Sequence, residues 1–436
     1  MTYRELGEAA WTWVRARVRD DDGPWLAEVD AVAPPADRDS LYAGLAGLAP
    51  LLAEIAAGRE LTADERGLAG RVVERLAARA RTRGEASLYD GLAGDVTALR
   101  LLAPGREAVA MRRIAELRTA DGWDTTLDLE YRGPVTDVVM GAAGVVLAAV
   151  WAAGPGAADI ADGGGTALLR RAEATEGGLD WRMWPGYRSS TPNFSHGTAG
   201  VASALAVAGH VLGRADFVDA AVRGAEHLLS VGDLTGGGFV VPHTLPYSQR
   251  DVEPVTYTWC HGPAGTSQLF AALARAGAHT AGGHDVGELR RRCLRSVLAS
   301  GVPARLRPGF WDNDGRCCGT AGVGDILLDA YQDTGEGWLL DGARLMGDAL
   351  VERAVRDTGG ARWRFVEHRQ DPPLLPPGVS WMQGAAGIAA FLLRLARIVE
   401  TGPEAPAPDR PDQWWCVPDR LRTTRAGGGW PATLSG

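Results

Sequence analysis

Trp259-Cys260-His261-Gly262 and, fifty-seven positions further on, Cys317-Cys318-Gly319 place three of the chain's five cysteines in two short segments. Each segment continues into Gly-x-x-Gly and a largely apolar run: Gly262-Pro263-Ala264-Gly265 before Thr266-Ser267-Gln268-Leu269-Phe270, and Gly319-Thr320-Ala321-Gly322 before Val323-Gly324-Asp325-Ile326-Leu327. They read as equivalent turns of one repeat that offer thiols to a common point. Zn²⁺ favours thiolate and imidazole ligands, and a catalytic zinc site takes three protein ligands and leaves a fourth position open. Cys260, Cys317 and Cys318 supply that count.

The plainer alternative is that these are packing thiols, since free cysteine is among the most buried residue types. It leaves unexplained why two are adjacent and a third stands at the matching turn one repeat earlier. Cys293 and Cys416 have no such partners and read as small apolar residues. Two further reactive groups precede similar glycine turns: Asp137, four residues before Gly141, and His196, directly before Gly197. His196 is either hydrogen-bonded within its own turn or reactive, and Asp137 is either an N-cap or a partner for another group. For His261 three roles stay open: fourth ligand, donor to a ligand, or a residue that merely starts a helix. Tyr42, Tyr89 and Asp90 read as packing or capping residues.

The turns that carry these groups belong to a series. Leu41-Tyr42-Ala43-Gly44-Leu45-Ala46-Gly47 recurs as Leu88-Tyr89-Asp90-Gly91-Leu92-Ala93-Gly94, as Val138-Val139-Met140-Gly141-Ala142-Ala143-Gly144, and as Phe194-Ser195-His196-Gly197-Thr198-Ala199-Gly200. The two cysteine segments follow, and Trp381-Met382-Gln383-Gly384-Ala385-Ala386-Gly387 is the last. All seven read Gly-x-Ala-Gly, at spacings of 47 to 65 residues, and such periods mark repeat architectures. The runs after the glycines, such as Val201-Ala202-Ser203-Ala204-Leu205, are too rich in alanine and leucine for strands and predict buried helices. Between them lie amphipathic stretches: Glu65 to Leu76, with Leu68, Val72, Val73 and Leu76 on one face, and Phe217 to Leu229. Seven inner helices backed by seven outer ones predict an all-α fold, a double-layered α/α toroid over residues 1–400 with its glycine turns at one end. A Pro- and Gly-rich tail, 401–436, should be only partly ordered unless Trp414 and Trp415 anchor it.

Composition narrows the function. With 46% hydrophobic and 23% charged residues the 436-residue chain is that of a globular protein, and its 58 glycines lack a collagen period. A net charge of -9 and scattered arginines speak against nucleic acid as a partner. No window of about eighteen residues is consistently apolar and uncharged, so no membrane span is expected. The first nineteen residues mix Glu5 and Glu8 with arginines and do not read as a signal peptide. A cytoplasmic location follows as an expectation. There, five cysteines suit ligands or thiols better than disulfides.

These turns, Ser195-His196-Gly197, Trp259-Cys260-His261-Gly262 and Cys317-Cys318-Gly319 in a seven-fold glycine series, resemble the lanthionine synthetase C-like family over nearly the whole chain. The resemblance implies a toroid with Zn²⁺ at its mouth. For the family's bacterial cyclases it implies addition of a peptide cysteine thiol to dehydroalanine or dehydrobutyrine, giving (methyl)lanthionine thioether rings. It further implies that Cys260, Cys317 and Cys318 hold the metal, that His196 is the catalytic histidine and that Asp137 is the catalytic aspartate. The implied partners are a dehydrated precursor peptide and a separate dehydratase or kinase/lyase that prepares it. Two departures stand out. Cys318 occupies a position where many members have histidine, and Thr256 stands where cyclases often carry arginine, with Arg250 nearby in sequence. The chemistry is coherent: a free thiol has a pKa near 8.5 and a metal-bound one is deprotonated, while the enolate formed by the addition needs an acid such as His196.

Three other functions fit parts of the pattern. A non-cyclising member that binds thiols or glutathione would use the same turn, Trp259-Cys260-His261-Gly262. An α/α-toroid glycoside hydrolase needs two carboxylates, with Asp90 and Asp137 best placed, and leaves the three cysteines idle. A scaffold that only binds a partner predicts no metal.

Overall fold

The computed structural model describes residues 1–436 except 22, 37, 128–130, 248–252, 305–312, 367–370 and 424–436. In chain order its helices are α1 (Tyr3–Arg15), α2 (Leu48–Gly58), α3 (Ala63–Ala80), α4 (Leu92–Leu102), α5 (Ala108–Leu117), α6 (Ala142–Ala152), α7 (Ala157–Arg171), α8 (Thr198–Leu212), α9 (Ala215–Val231), α10 (Pro263–Arg275), α11 (Val286–Ala299), α12 (Thr320–Thr334), α13 (Gly337–Arg353) and α14 (Ala385–Thr401). The even-numbered helices follow the glycine turns and form the inner layer; the odd-numbered ones form the outer layer. Composition explains the division. α6 is alanine, valine and leucine nearly throughout and is buried along its whole length, whereas α3 buries only the stripe containing Leu68, Val72, Leu76 and Ala80.

Each inner helix packs against the next, from α2 through α14, and α14 packs against α2, so the ring closes. The outer partner of α14 is α1, which ties the two ends of the helical chain together. The sequence expectation of a seven-plus-seven α/α toroid holds. Six two-stranded antiparallel hairpins are all the sheet among the described residues, and they sit in the connections.

Among the described residues, side-chain caps occur only in the outer layer, at α1, α3 and α11. α1 and α3 begin with capping boxes, Thr2 with Glu5 and Thr62 with Glu65. The inner helices that follow the glycine turns have no side-chain cap, and their first amides are satisfied by main chain instead. In copy three the amides of Ala142, Ala143 and Gly144 donate to the carbonyls of Val135, Thr136 and Asp137 at 2.9, 3.1 and 3.3 Å. In copy six those of Thr320, Ala321 and Gly322 donate to Asn313, Asp314 and Gly315 at 3.1, 3.1 and 3.3 Å. A loop folded this tightly over its own helix needs a residue without Cβ at the second glycine. A Cβ on Gly265 would come within 2.0 Å of the Trp259 carbonyl oxygen, and one on Gly322 within 1.8 Å of that of Arg316.

The segment 403–423 packs behind the turns and bonds to four of the seven inner helices, α6, α10, α12 and α14. Trp151 of α6 donates to Asp409 at 3.1 Å, Arg410 reaches Asp325 of α12 at 3.0 Å, and Trp415 donates to the Gln268 carbonyl of α10 at 3.0 Å. Gln332 donates to the Ala405 carbonyl at 2.8 Å, and Arg397 of α14 to that of Pro406 at 2.9 Å. Trp414, Trp415 and Cys416 are buried. The two tryptophans therefore do anchor the tail as far as it is described, and 424–436 lie outside the described residues.

Candidate functional site

The seven turns are joined to one another by a closed cycle of main-chain hydrogen bonds through the residue two before each first glycine. The Tyr42 amide donates to the Tyr89 carbonyl (3.0 Å), Tyr89 to Val139 (3.2 Å), Val139 to Ser195 (3.3 Å), Ser195 to Cys260 (3.1 Å), Cys260 to Cys317 (3.2 Å), Cys317 to Met382 (2.8 Å) and Met382 back to Tyr42 (3.2 Å). The backbone of the mouth is thus fixed by itself, and side chains are free to carry chemistry. In six of the seven copies this position is buried, while the next one, directly before the glycine, is half-buried in all but Cys318. Two tiers result. Cys260, Cys317 and Tyr42 stand in the inner tier; His196, His261, Cys318 and Gln383 stand in the tier that faces the mouth.

Cys260, Cys317 and Cys318 come together: their sulfur atoms lie within 4.8 Å of one another, and no other group of three ligating residues does so among the described residues. The Cys260 and Cys318 sulfurs are 3.3 Å apart. His261 adds no nitrogen to that group. The charge state of the trio tests whether a metal fits. Burial opposes ionisation of Cys260, but hydrogen bonds from Cys317 and Cys318, and nearby His261, hold its thiol well below the ordinary range. Giving a proton toward Cys260 pushes Cys317 and Cys318 well above it. A dication bound among three buried thiols gathered this closely would draw off their protons and offset most of the charge of the three thiolates. The donors therefore fit Zn²⁺.

His196 and Asp137, fifty-nine positions apart, meet at the neighbouring turns, with His196 Nδ1 2.7 Å from Asp137 Oδ2. The other oxygen, Oδ1, accepts the Met140 amide at 2.7 Å, which fixes the carboxylate. Asp137 therefore braces its own turn without capping α6 and is also a partner for His196; it is fully buried, whereas the His196 side chain is 27% exposed at the mouth. Burial works against the imidazolium, but the hydrogen bond and charge of Asp137 outweigh it, and Cys260 adds to them, so the His196 pKa is raised. His261 follows in the next turn, its ring centre 5.7 Å from that of His196 and 4.1 Å from that of His243.

Several features of this site went unread in the sequence. Thr191 and Thr256, each six residues before a first glycine, donate their hydroxyls to the carbonyls of His196 and His261 and brace the two histidine turns. Thr256 is thus spent on the turn and brings no positive charge, while Arg250 lies outside the described residues. Tyr89 packs as expected, edge-on to Trp259 at 5.7 Å, and its hydroxyl donates to Asp412 at 3.2 Å. Tyr42 does more than pack: its hydroxyl accepts from Gln383 Nε2 at 2.8 Å, and burial, with the thiols beside it, pushes its pKa up. The signal was its register, because it stands in the repeat where Cys260 and Cys317 stand. Asp90 does not join the thiol group. The segment Trp181 to Tyr187 hydrogen-bonds through the Met183 carbonyl to the Thr136 amide at 2.9 Å, next to Asp137.

The lanthionine synthetase C-like protein family matches residues 35–401. The fold is similar to that of nisin cyclase, with a TM-score of 0.57 at 16% identity, covering 83% of this chain and 89% of that one. An unsaturated glucuronyl hydrolase from Bacillus sp. GL1 matches at a TM-score of 0.44 and 14% identity over 92% of this chain and 97% of its own. An α-mannanase of Bacteroides thetaiotaomicron matches at 0.49 and 11% over 92% and 98%. None of the curated proteins compared matches the sequence.

Proposed function

The chain belongs to the lanthionine synthetase C-like family, and we propose that it is a zinc-dependent cyclase that adds cysteine thiols of a dehydrated peptide to dehydroalanine or dehydrobutyrine. The observation that carries this is the convergence of Cys260, Cys317 and Cys318 at the mouth of the toroid, beside the His196–Asp137 pair. The three cysteines would hold the zinc, and its chemistry there would be to favour the thiolate form of a substrate cysteine.

The chain's own residues do the rest. Attack of the substrate sulfur on the β-carbon of the dehydro residue forms the carbon–sulfur bond and moves the double-bond electrons into an enolate, which must gain a proton at the α-carbon. His196 holds that proton: its raised pKa keeps the ring protonated to higher pH than an ordinary histidine, and its exposed edge faces the mouth. Asp137 fixes the ring through Nδ1, leaving Nε2 as the atom that delivers the proton. The hydrolase alternative finds no support in the geometry, since Asp137 is fully buried behind His196. No helix among the described residues is long and apolar enough to cross a membrane.

The peptide would arrive already dehydrated by another protein, because the site as described offers nothing that activates or eliminates a hydroxyl. The test mixes the protein with a dehydrated, cysteine-containing precursor and counts alkylatable thiols by mass spectrometry. Cyclisation removes the thiol and leaves the peptide mass unchanged. Thiols that persist at the rate without protein, across several precursors and with folded, zinc-loaded protein, would replace this reading with a thiol- or glutathione-binding role.

A further inference from the structure

The mouth end of the ring carries a second recess, outside the seven turns. α1 runs antiparallel to α14: Arg4 bonds Glu400 at 2.6 Å, and a Cβ on Gly7 would meet the Ala389 carbonyl oxygen at 3.3 Å. The end of α1 at Arg15 therefore lies beside the entrance of α14, where the last glycine turn stands. There the strands Val355–Asp357 and Gly360–Arg362 form a hairpin that packs on α1 so closely that a Cβ on Gly360 would clash with the Ala9 carbonyl oxygen. Beside this contact is a cavity of about 560 Å³ whose lining includes Trp13, Arg17, Val29, Asp357, Arg362 and Pro377. Pro377 opens the loop that closes at Gly384 of the seventh turn, so the cavity and the mouth share one stretch of chain.

The charges that line this cavity are not matched among themselves. Arg362 bonds Asp357 at 2.7 Å. Arg17 makes no side-chain hydrogen bond or ion pair among the described residues: its guanidinium carbon lies 4.3 Å over the ring of Trp13, and its Nε is buried without a partner. Buried polar nitrogens are rarely left so. Burial, and then the charges of Arg362 and Arg19, lower the Arg17 pKa. Glu28 and Asp30 offset part of that crowding, but Glu28 accepts the Val379 amide at 3.0 Å. Two guanidinium groups thus face the cavity with one bonded carboxylate between them. The planar fork of arginine matches the two oxygens of a carboxylate, and Trp13, Val29 and Pro377 offer apolar surface to whatever carries it.

We propose that this cavity binds an acidic residue of the substrate peptide, flanked by apolar ones, and holds the peptide at the rim while its ring-forming segment lies in the mouth. The peptide as occupant rests on the cyclase reading above, but the test needs neither zinc nor turnover. Isothermal titration calorimetry compares wild-type protein, Arg17→Gln and Asp357→Asn with three probes: a blocked tetrapeptide alternating leucine and glutamate, its counterpart with glutamine for glutamate, and free glutarate. Wild-type protein should bind the glutamate peptide saturably and the glutamine peptide not at all. Arg17→Gln should weaken that binding roughly ten- to a hundred-fold, the worth of a hydrogen bond to a charged group. Asp357→Asn should strengthen it, because Arg362 is released from its internal partner, and a merely structural role would not move affinity in that direction. No binding by the wild type, equal binding of the two peptides, or an affinity unmoved in both variants overturns the proposal. Glutarate bound as tightly as the glutamate peptide overturns the peptide as occupant and gives the cavity to a free small acid. Each of these failures leaves the zinc site and the thiol count untouched. Persisting thiols with the glutamate peptide still bound would instead strike the cyclase reading and leave an acidic-peptide site.

Discussion

The mouth of the ring and the bore behind it are lined by the same seven helices yet handle polar groups in opposite ways. At the mouth the backbone cycle does the fixing, and His196, His261 and Gln383 are left half-buried. In the bore the side chains fix one another: Asp325 receives Arg316, Arg394 at 2.7 Å and Arg410 at 3.0 Å, all with little exposed surface. Burial opposes its charge, but those three guanidinium groups hold its carboxyl far below the usual carboxylate range. The difference teaches that this fold separates the two tasks. Reactive groups sit where changing a side chain leaves the scaffold intact, and matched buried charges hold the tail against α12 and α14.

If that separation is real, substitutions in the two regions should fail in different assays. The largest effect belongs to the mouth. His196→Ala should slow cyclisation by roughly 10²- to 10⁴-fold, the usual worth of general acid catalysis, with zinc content unchanged. A variant that also lost its metal would move His196 into the ligand shell. In the bore, Asp325→Asn leaves three arginines short of their shared charge and should lower the free energy of unfolding by about 3–5 kcal/mol. Denaturant titration measures that loss, and the protein that remains folded should bind zinc as before. A turnover defect at full stability would break the comparison.

A sharper test uses pH. Because Asp137 raises the His196 pKa, the ion pair adds stability that is fully present below the unfolded value near 6.5 and is lost as pH rises through the raised one. Turnover that depends on the acid form should fall on the alkaline side in the same range. Asp137→Asn removes the charge, so its alkaline limb should lie at lower pH than that of the wild type; an unmoved limb would detach Asp137 from the acid. The smallest effect is expected where the regions meet. Tyr89→Phe deletes one hydrogen bond to the Asp412 carboxylate and should cost about 1.5–3 kcal/mol of stability, with turnover nearly unchanged.

How much was legible follows the same division. The toroid and the thiol trio could be read because Gly-x-Ala-Gly marks every inner helix entrance, and register within the repeat puts Cys260 and Cys317 at equivalent points of one ring. The His196–Asp137 pair could be read only through family resemblance, since spacing shows that the two share a mouth but not that a ring nitrogen meets a carboxylate oxygen. Tyr42 was legible in principle from the same register, but its aromatic ring suggested packing. The bore was not legible. Asp409, Arg410 and Asp412 find their partners 258, 85 and 323 positions away, at Trp151, Asp325 and Tyr89, and no local pattern in a Pro-rich tail carries that information.

The central claim is that Cys260, Cys317 and Cys318 together hold one zinc ion and leave a position open to a substrate thiol. It is tested most directly by elemental analysis of freshly purified protein, alongside Cys318→His and Cys318→Ala. One zinc per chain is predicted for the wild type and for Cys318→His, because imidazole is an accepted ligand, with loss or marked weakening in Cys318→Ala. Wild-type protein without stoichiometric zinc, or full retention in Cys318→Ala, would contradict the account.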